Sequence, residues 1–317
     1  MAAVKTSKGT ERPILVTGTY RSGTTWIGDM LAFSPRVHYV HEPFAGMYER
    51  SWVRRPPTIR MYHERSDCPG VYREDLERIV GLRPPWLTIA RRSGRPRHVL
   101  RVGQEALRTT VARRRGARAL IKDPFSLLLA EWIAATVDAH VVVAVRHPAA
   151  FASSVKRLGW RFDTSWLLSQ PALMEGDLAP FRRDLEIAQQ GEHDIIDNAI
   201  LMWRVLNSVV NRYDEDHPDW SVLRYEDLAA DPLTRFASLF ERLEVPWSKA
   251  VARRVAGANS ASQAAEVPDG SRGGTRRDSR RAMRTWKDRL TNIEVERVRE
   301  GTSDIADRWY AAADWCV

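Results

Sequence analysis

The chain has 317 residues, and its 49 Lys+Arg against 40 Asp+Glu give a formal net charge of +9. Core size is no constraint at this length, and a cationic surplus that is nearly all Arg favours an anionic ligand or partner. Two cysteines exclude a disulfide framework, and the longest apolar run, residues 127–137, is too short to span a bilayer. We therefore expect a soluble, cytoplasmic protein in a reducing compartment.

Four short runs of branched residues predict buried strands, and a helical pattern follows each of them. The runs are PILVTG from Pro13, RALIK from Arg118, HVVVAV from His140 and WSVLRY from Trp220. This alternation predicts an α/β fold, with a parallel sheet covered by helices on both faces and a ligand at the carboxyl ends of the strands.

One domain is predicted over residues 13–317, after a tail at residues 1–12. A further amphipathic helix is expected over residues 194–213. The segments 41–70, 81–103 and 160–192 have weak periodicity, and we interpret them as acceptor-site loops inserted into the domain.

Residues 18–25, GTYRSGTT, have the glycine spacing of a phosphate-binding loop but lack its lysine. A nucleoside-triphosphate loop reads G-x-x-x-x-G-K-[ST], and here Thr24 stands at the lysine position. The backbone N–H groups at the start of the following helix would still point at an anion. The cation has moved into the loop as Arg21.

A second basic position ends another predicted strand. Arg146 closes HVVVAV, where an NTPase carries the aspartate that supports magnesium, and Ser154 lies eight residues further on. Arg21 and Arg146 would then contact different ends of one multiply charged ligand. The glycine spacing alone is also compatible with an ordinary turn, but the combination predicts an anion site that needs no metal.

These segments resemble motifs of sulfotransferases that use 3′-phosphoadenosine 5′-phosphosulfate (PAPS). TYRSGTTW resembles their 5′-phosphosulfate loop, VRHPAAFASS their 3′-phosphate motif, LRYEDL a segment with a Tyr near the adenine, and WKDRLT the end of their C-terminal lid. The resemblance implies the sulfotransferase fold, PAPS as the donor without a metal, and an acceptor with a hydroxyl group. The implied donor-binding residues are Arg21, Ser22, Gly23, Thr24, Thr25, Trp26, Arg146, Ser154, Tyr225, Arg280 and Arg281.

Three residues are predicted to take part in catalysis. Arg21 would contact the sulfate, and Lys122, at the end of the strand RALIK, is placed to assist. The segment HEPF, residues 41–44, resembles the part of carbohydrate-type and some bacterial members in which the Glu is a proposed base, so Glu42 is the predicted general base. Asp123 is the second candidate and His41 the third. A salt bridge is the alternative role for Glu42.

Departures from the phenol and steroid sulfotransferases bear on the acceptor. Arg21 replaces the Lys found in many of those enzymes, and Pro124 stands where they have a His. The pattern favours carbohydrate-type or bacterial members and a hydroxyl of a glycan or glycolipid, with a non-sugar natural product as the alternative. The rival functions are a P-loop kinase or NTPase, which the missing Lys and Asp disfavour, and a non-catalytic polyanion-binding protein.

An arginine run and several tryptophans leave alternatives open. Residues 91–118 contain ten Arg and one acid, which is typical of a solvated face but also fits an entry surface for an anionic acceptor. The run lacks interleaved aromatics, so nucleic acid is not expected. Four tryptophans in the weakly periodic segments are candidates for stacking against an acceptor, and the sequence does not rank them: Trp52, Trp86, Trp160 and Trp166.

Overall fold

A computed structural model describes residues 11–45, 52–53, 72–92, 96–191, 193–259 and 278–316. Its centre is a sheet of five parallel strands in the order β2-β3-β1-β4-β5. The strands are β1 Ile14–Gly18, β2 Val37–His41, β3 Arg118–Lys122, β4 His140–Val145 and β5 Ser221–Arg224. Because all five are parallel, their carboxyl ends meet at one edge, where the predicted site residues lie.

The helices cover both faces of the sheet. In chain order they are α1 Thr24–Leu31, α2 Arg73–Val80, α3 Trp86–Arg92, α4 Pro96–Arg114, α5 Ala130–Val137, α6 Pro148–Leu158, α7 Ser165–Leu168, α8 Pro171–Glu175, α9 Arg182–Gln189, α10 Ile195–Asp216, α11 Tyr225–Ala230, α12 Pro232–Arg242, α13 Lys249–Ala258, α14 Ser279–Ala282 and α15 Asn292–Ala306. Short 3-10 turns cover Pro124–Leu129, Ala179–Phe181 and Ala312–Trp315. In the described part of the chain, no helix combines the length and the apolar character needed to cross a bilayer.

Alternate residues of the central strands build two cores. Ile14 and Val16 of β1 join the core formed with α1, α11, α12 and α13. Leu15, between them, joins the core formed with α5, α6, α10 and α15. Because both faces are buried, the central strands are apolar almost throughout, which is why they were recognisable in the sequence.

The α/β fold and the four predicted strands are confirmed, with three corrections. β2 was not predicted, because this edge strand lacks the alternation of a half-buried strand. Its two buried apolar residues, Val37 and Val40, are three positions apart, and His38, Tyr39 and His41 are only partly covered or exposed. The last predicted strand ends at Arg224, and Tyr225 instead begins α11. The helix after β3 begins as the 3-10 turn Pro124–Leu129, capped by Asp123.

The predicted loop segments contain helices in the structure. Residues 81–103 include α3 and the start of α4, and residues 160–192 include α7, α8 and α9. Most of the segment 41–70 lies outside the described residues, as do residues 1–10 of the predicted tail. The predicted helix at 194–213 is α10, which Asp194 caps with a reciprocal capping box and which continues to Asp216.

Candidate active site

The loop between β1 and α1 is fitted closely to its neighbours. Gly18 and Gly23 have φ of 141° and 98°, in a region that side chains disfavour. A Cβ on Gly18 would lie 2.4 Å from the Ala144 carbonyl oxygen, and one on Gly23 would lie 2.5 Å from the Tyr225 ring. Both glycines are therefore required by the approach of β4 and α11 to the loop.

The start of α1 presents backbone donors to this edge of the sheet. The first bond within the helix runs from the Ile27 N–H to the Gly23 carbonyl, at 3.1 Å. The N–H groups of Thr24, Thr25 and Trp26 precede it, at the positive end of the helix dipole. The arrangement fits a phosphate or sulfate group.

Ser22 of the loop and Trp26 of α1 have structural contacts. Ser22 folds back on Thr19, whose carbonyl accepts both the Ser22 N–H and its hydroxyl. Trp26 is fully buried, donates its indole N–H to Asn259 Oδ1 at 2.9 Å, and packs edge-on against Tyr225. The side chain of Trp26 thus holds α1 against α11 and the end of α13.

Arg21 connects the loop to the β4–α6 segment. Its backbone is left-handed, with φ of 67°, which is uncommon for a side chain of this size. Its Nε donates to Ser154 Oγ at 2.8 Å, and its carbonyl accepts from Arg146 Nη1 at 2.8 Å. Arg21 is thereby joined to Ser154 and Arg146, which lie 133 and 125 positions further along the chain.

Arg146 lies at the centre of this cluster. Its guanidinium stacks over the Tyr225 ring, 5.1 Å from the centroid, and its carbonyl accepts from the Trp203 indole at 2.9 Å. Its Nη2 also reaches the Ala282 carbonyl at 3.5 Å, which brings α14 to the same place. We refer to Arg21, Arg146, Ser154 and Tyr225 as the arginine cluster.

The two predicted lid arginines lie on α14. Arg280 and Arg281 are both exposed, and Arg280 donates to the Ala230 carbonyl at 3.0 Å. They immediately precede Ala282, the residue that contacts Arg146. The two arginines are thus adjacent in the chain to a residue that contacts the arginine cluster.

His147 supports the cluster from behind, and sequence reasoning missed it. Its ring stacks on Trp286 with centroids 5.2 Å apart and has Tyr310 and Trp315 at its edges. The backbone N–H of His147 donates to Glu226 Oε1 at 3.1 Å, and the ring Nδ1 accepts from the Ala149 N–H, which caps α6. Burial in this aromatic setting lowers the pKa of His147 to about 3. The sequence did offer a sign of this role, because His147 directly follows Arg146 in the segment VRHP.

The ends of β2 and β3 carry a buried ion pair between Glu42 and Lys122, on the side of the site that we propose below for the acceptor. Lys122 is fully buried, Glu42 is 8% exposed, and the Lys122 ammonium donates to Glu42 Oε1. Within the described residues, Glu42 Oε2 is buried and accepts no hydrogen bond. Glu42 also has a positive φ, of 44°, so both Arg21 and Glu42 adopt strained backbones at this edge.

Asp123, the second candidate base, is committed to the backbone. Its Oδ2 accepts from the Phe44 N–H at 2.9 Å and its Oδ1 from the Phe125 N–H at 3.0 Å. Burial raises its pKa to about 7, and the nearby carboxylate of Glu42 adds to the shift. Asp123 thus fixes the turn after Glu42 and the turn after β3.

His41, the third candidate, is linked to Glu42 and Tyr39. Its Nε2 is 3.8 Å from Glu42 Oε2, and its Nδ1 is 3.2 Å from the Tyr39 hydroxyl. Half of the His41 side chain is exposed. The pKa of Tyr39 is raised well above its usual value by burial and by neighbouring carboxylates, so this phenol remains protonated. Tyr39 was missed because β2 was missed.

The structure separates the four candidate tryptophans. Trp52 is buried and packs against Trp86, and Trp166 packs edge-on against Phe162. Trp160 is 45% exposed, and the Arg21 guanidinium lies 5.8 Å from its ring centroid. Trp160 is therefore the candidate that borders the arginine cluster.

Comparison with known proteins identifies the family of the chain. The chain matches the family model described as sulfotransferase family over residues 13–249. No curated protein sequence matches it significantly.

Two solved structures have a similar fold. The sulfotransferase domain from the curacin biosynthetic pathway has a TM-score of 0.54 and 14% identity, and the match covers 94% of this chain and 97% of that one. The sulfotransferase domain from the Synechococcus PCC 7002 olefin synthase has a TM-score of 0.52 and 18% identity, covering 98% and 99%. Given the family match over most of its length, the chain belongs to the sulfotransferase family.

Proposed function

We propose that the protein transfers the sulfuryl group of PAPS to a hydroxyl group of an acceptor, with Glu42 as the general base. The observation that supports this most strongly is the joining of the phosphate-type loop, Arg21, Ser154 and Arg146 into one cluster at the strand ends. The buried carboxylate of Glu42 lies at the same edge of the sheet, at the end of β2.

The donor site of this proposal uses the residues described above. The backbone N–H groups from Gly23 to Trp26 and the Arg21 guanidinium would hold the 5′-phosphosulfate, and Tyr225 would lie near the adenine. Ser22, predicted to bind the donor, would instead shape the loop, because its N–H and hydroxyl both donate to the Thr19 carbonyl. Arg146 and Ser154 would bind the 3′-phosphate, with Arg280 and Arg281 closing over it. When bound, PAPS supplies an activated sulfuryl group, whose charge is lower than that of a phosphoryl group. Fixed arginine donors therefore suffice without a divalent ion.

Glu42 is proposed to take the proton of the acceptor hydroxyl on Oε2. Its other oxygen, Oε1, already accepts from Lys122. We propose that Lys122 assists the reaction by orienting the Glu42 carboxylate, and not by contacting the sulfate directly. Asp123 is disfavoured as the base because both of its oxygens accept backbone N–H groups. His41 remains the alternative, since half of its side chain is exposed and its Nε2 lies 3.8 Å from Glu42 Oε2.

The proposed acceptor is a hydroxyl of a carbohydrate or glycolipid, and the proposed setting is the cytoplasm. The support is the segment HEPF, together with the exposed Trp160 beside Arg21, because an aromatic face stacks well on a sugar. A non-sugar natural product is the second candidate. It is favoured by the two solved structures of similar fold, which come from the curacin pathway and an olefin synthase.

Calorimetry with two nucleotides tests the donor. We expect adenosine 3′,5′-bisphosphate to bind without metal and more tightly than ATP with Mg²⁺. Tighter binding of ATP with Mg²⁺ would favour a kinase or NTPase, and binding of neither would favour a non-catalytic polyanion-binding protein. Transfer of labelled sulfate from PAPS to separate glycan, glycolipid and polar-metabolite extracts then identifies the acceptor class.

A further inference from the structure

Helix α4 has two apolar sides, and only one of them packs on the protein. Val102 is 4% exposed and Thr109 is fully buried, with its hydroxyl 2.9 Å from His38 Nε2 of β2. Leu100 and Leu107 are 67% and 66% exposed, and Val111 is 37% exposed. At 3.6 residues per turn these three lie about 140° to 180° around the helix from Val102, on the side facing solvent. We call Leu100, Leu107 and Val111 the outer strip.

Arginines flank the outer strip on both sides. By the same helical geometry Arg101 and Arg108 lie along one side of it and Arg114 along the other. All three are exposed, and in the stretches that the structure describes they form no ion pair. Arg118, the last of the arginine run, differs because it is buried and donates to the Arg12 and Leu243 carbonyls. The arginine run at residues 91–118 thus contains both a buried arginine with a structural role, Arg118, and exposed arginines.

The neighbouring helix α3 also exposes a large aliphatic side chain. Leu87 of α3 is 76% exposed, and α3 packs against α4. Exposing several large aliphatic residues together is unfavourable by roughly 25 cal/mol for each Å² of apolar surface, so the patch is expected to be covered in use. The partner that covers this surface must be apolar where it meets the outer strip and anionic where it meets the flanking arginines.

We propose that α4 docks on an anionic lipid surface, with the outer strip entering the headgroup region and the flanking arginines binding lipid phosphates. A single convex helix with an aliphatic strip and basic margins on both sides is the pattern of interfacial helices. Arginine stems also extend readily along apolar surface while their charge stays at the phosphate level. An acidic protein would satisfy the arginines but needs a matching apolar groove for the strip.

The topology places this surface beside the candidate active site. α4 leads into β3 at Arg118, which pairs with Val37 at the beginning of β2. The helix therefore runs antiparallel to the strands, and its Leu100 end lies towards the strand ends that include Glu42. A membrane bound along α4 would lie next to the acceptor side of the sheet.

Vesicle co-sedimentation of the full chain tests the proposal. The vesicles are phosphatidylcholine alone, or phosphatidylcholine with about a quarter phosphatidylglycerol. We expect binding to the anionic vesicles about ten-fold or more above the neutral ones, weakening as salt is added. Leu100→Gln/Leu107→Gln/Val111→Gln should reduce this binding at least about ten-fold. Arg101→Gln/Arg108→Gln/Arg114→Gln should reduce it by a similar factor and flatten its salt dependence.

A matched control removes exposed aliphatic residues elsewhere. Leu233 of α12 is 45% exposed and Ile293 of α15 is 74% exposed, so Leu233→Gln/Ile293→Gln should bind vesicles as the wild type does. Equal binding to both vesicle types, or unchanged binding of the outer-strip variant, would overturn the proposal. So would a wild-type dimer in light scattering that the outer-strip variant converts to a monomer, because a second copy would then cover the strip. Vesicle binding is measured without turnover, so the result does not depend on the proposed sulfuryl transfer.

Discussion

The two sides of the candidate site handle charge in opposite ways. On the proposed donor side, the arginine cluster collects positive charge whose contacts include a hydroxyl, carbonyl groups and an aromatic face. On the acceptor side, the positive charge of Lys122 is matched at once by Glu42. The first arrangement is suited to receiving an anion. The second keeps one carboxylate oxygen in a defined position, as a proton acceptor requires.

Removing the carboxylate of Glu42 should have the largest effect on turnover. If Glu42 is the base, Glu42→Gln is expected to lower kcat by roughly two to four orders of magnitude. Binding of adenosine 3′,5′-bisphosphate should be retained, because the arginine cluster does not include this residue. Sulfate transfer and calorimetry on the same preparation measure the two quantities.

A second variant separates loss of the base from damage to the ion pair. Glu42→Gln leaves Lys122 buried without its counter-ion, which destabilises a fold by about 3–5 kcal/mol in typical cases. Glu42→Asp keeps the negative charge but withdraws its oxygens, so it should restore thermal stability more than kcat. A near-normal rate in folded Glu42→Gln would transfer the role of base to His41, which His41→Ala would then test.

Removing Arg146 should affect the donor side alone. Charge-assisted hydrogen bonds contribute about 1.5–3 kcal/mol, so Arg146→Ala is expected to reduce the preference for adenosine 3′,5′-bisphosphate over adenosine 5′-monophosphate by roughly 10- to 100-fold. The ratio of two dissociation constants measured on one protein cancels any general loss of folded material. An unchanged ratio would remove Arg146 from the 3′-phosphate site and contradict the charge contrast between the two sides.

The donor side was more accessible to sequence reasoning than the acceptor side, for a physical reason. The loop at 18–25 and the pair Arg146 and Ser154 follow apolar strands directly, so local spacing indicated which residues meet at the strand ends. On the acceptor side, the pairing of Lys122 with Glu42 depends on β2 lying next to β3, and β2 carries only a weak strand pattern. The commitment of Asp123 to two backbone N–H groups is likewise a product of tertiary structure.

Three further features of the site depend on tertiary packing and could not be predicted from local sequence patterns. The ring of His147 is enclosed by Trp286, Tyr310 and Trp315, which lie more than a hundred residues away in the chain. The strained backbones of Arg21 and Glu42 follow from the same kind of constraint, since nothing in their identity favours positive φ. Of the four tryptophans, only the folded chain shows that Trp160 lies beside Arg21.

The buried imidazole of His147, which packs behind the arginine cluster, should make the fold sensitive to acid. The pKa of His147 is lowered to about 3 in the folded chain, against about 6.5 unfolded, so the unfolded state binds more protons between these values. Stability from this residue is complete above about pH 6.5 and is lost as the pH falls towards 3. Between pH 7 and pH 5 the loss should be about 2 kcal/mol.

Urea unfolding at the two pH values measures this loss. His147→Asn keeps an acceptor that caps the Ala149 N–H but cannot titrate, so its free energy of unfolding should change less between pH 7 and pH 5. An equal change in both proteins would show that other groups cause the acid sensitivity.

The smallest expected effect concerns the border between the two sides. Trp160 is partly exposed and contacts Arg21, so Trp160→Ala removes a surface on which an acceptor can stack and one neighbour of the loop arginine. A cation–π contact or a stacked ring contributes about 1 kcal/mol, which predicts an increase of about five-fold in KM for a sugar acceptor, with kcat and the KM for PAPS nearly unchanged. Trp160→Phe should recover most of the loss, because it restores an aromatic face. If the KM for PAPS rises instead, Trp160 acts through Arg21 on the donor, and the boundary between the two sides must be moved to include it.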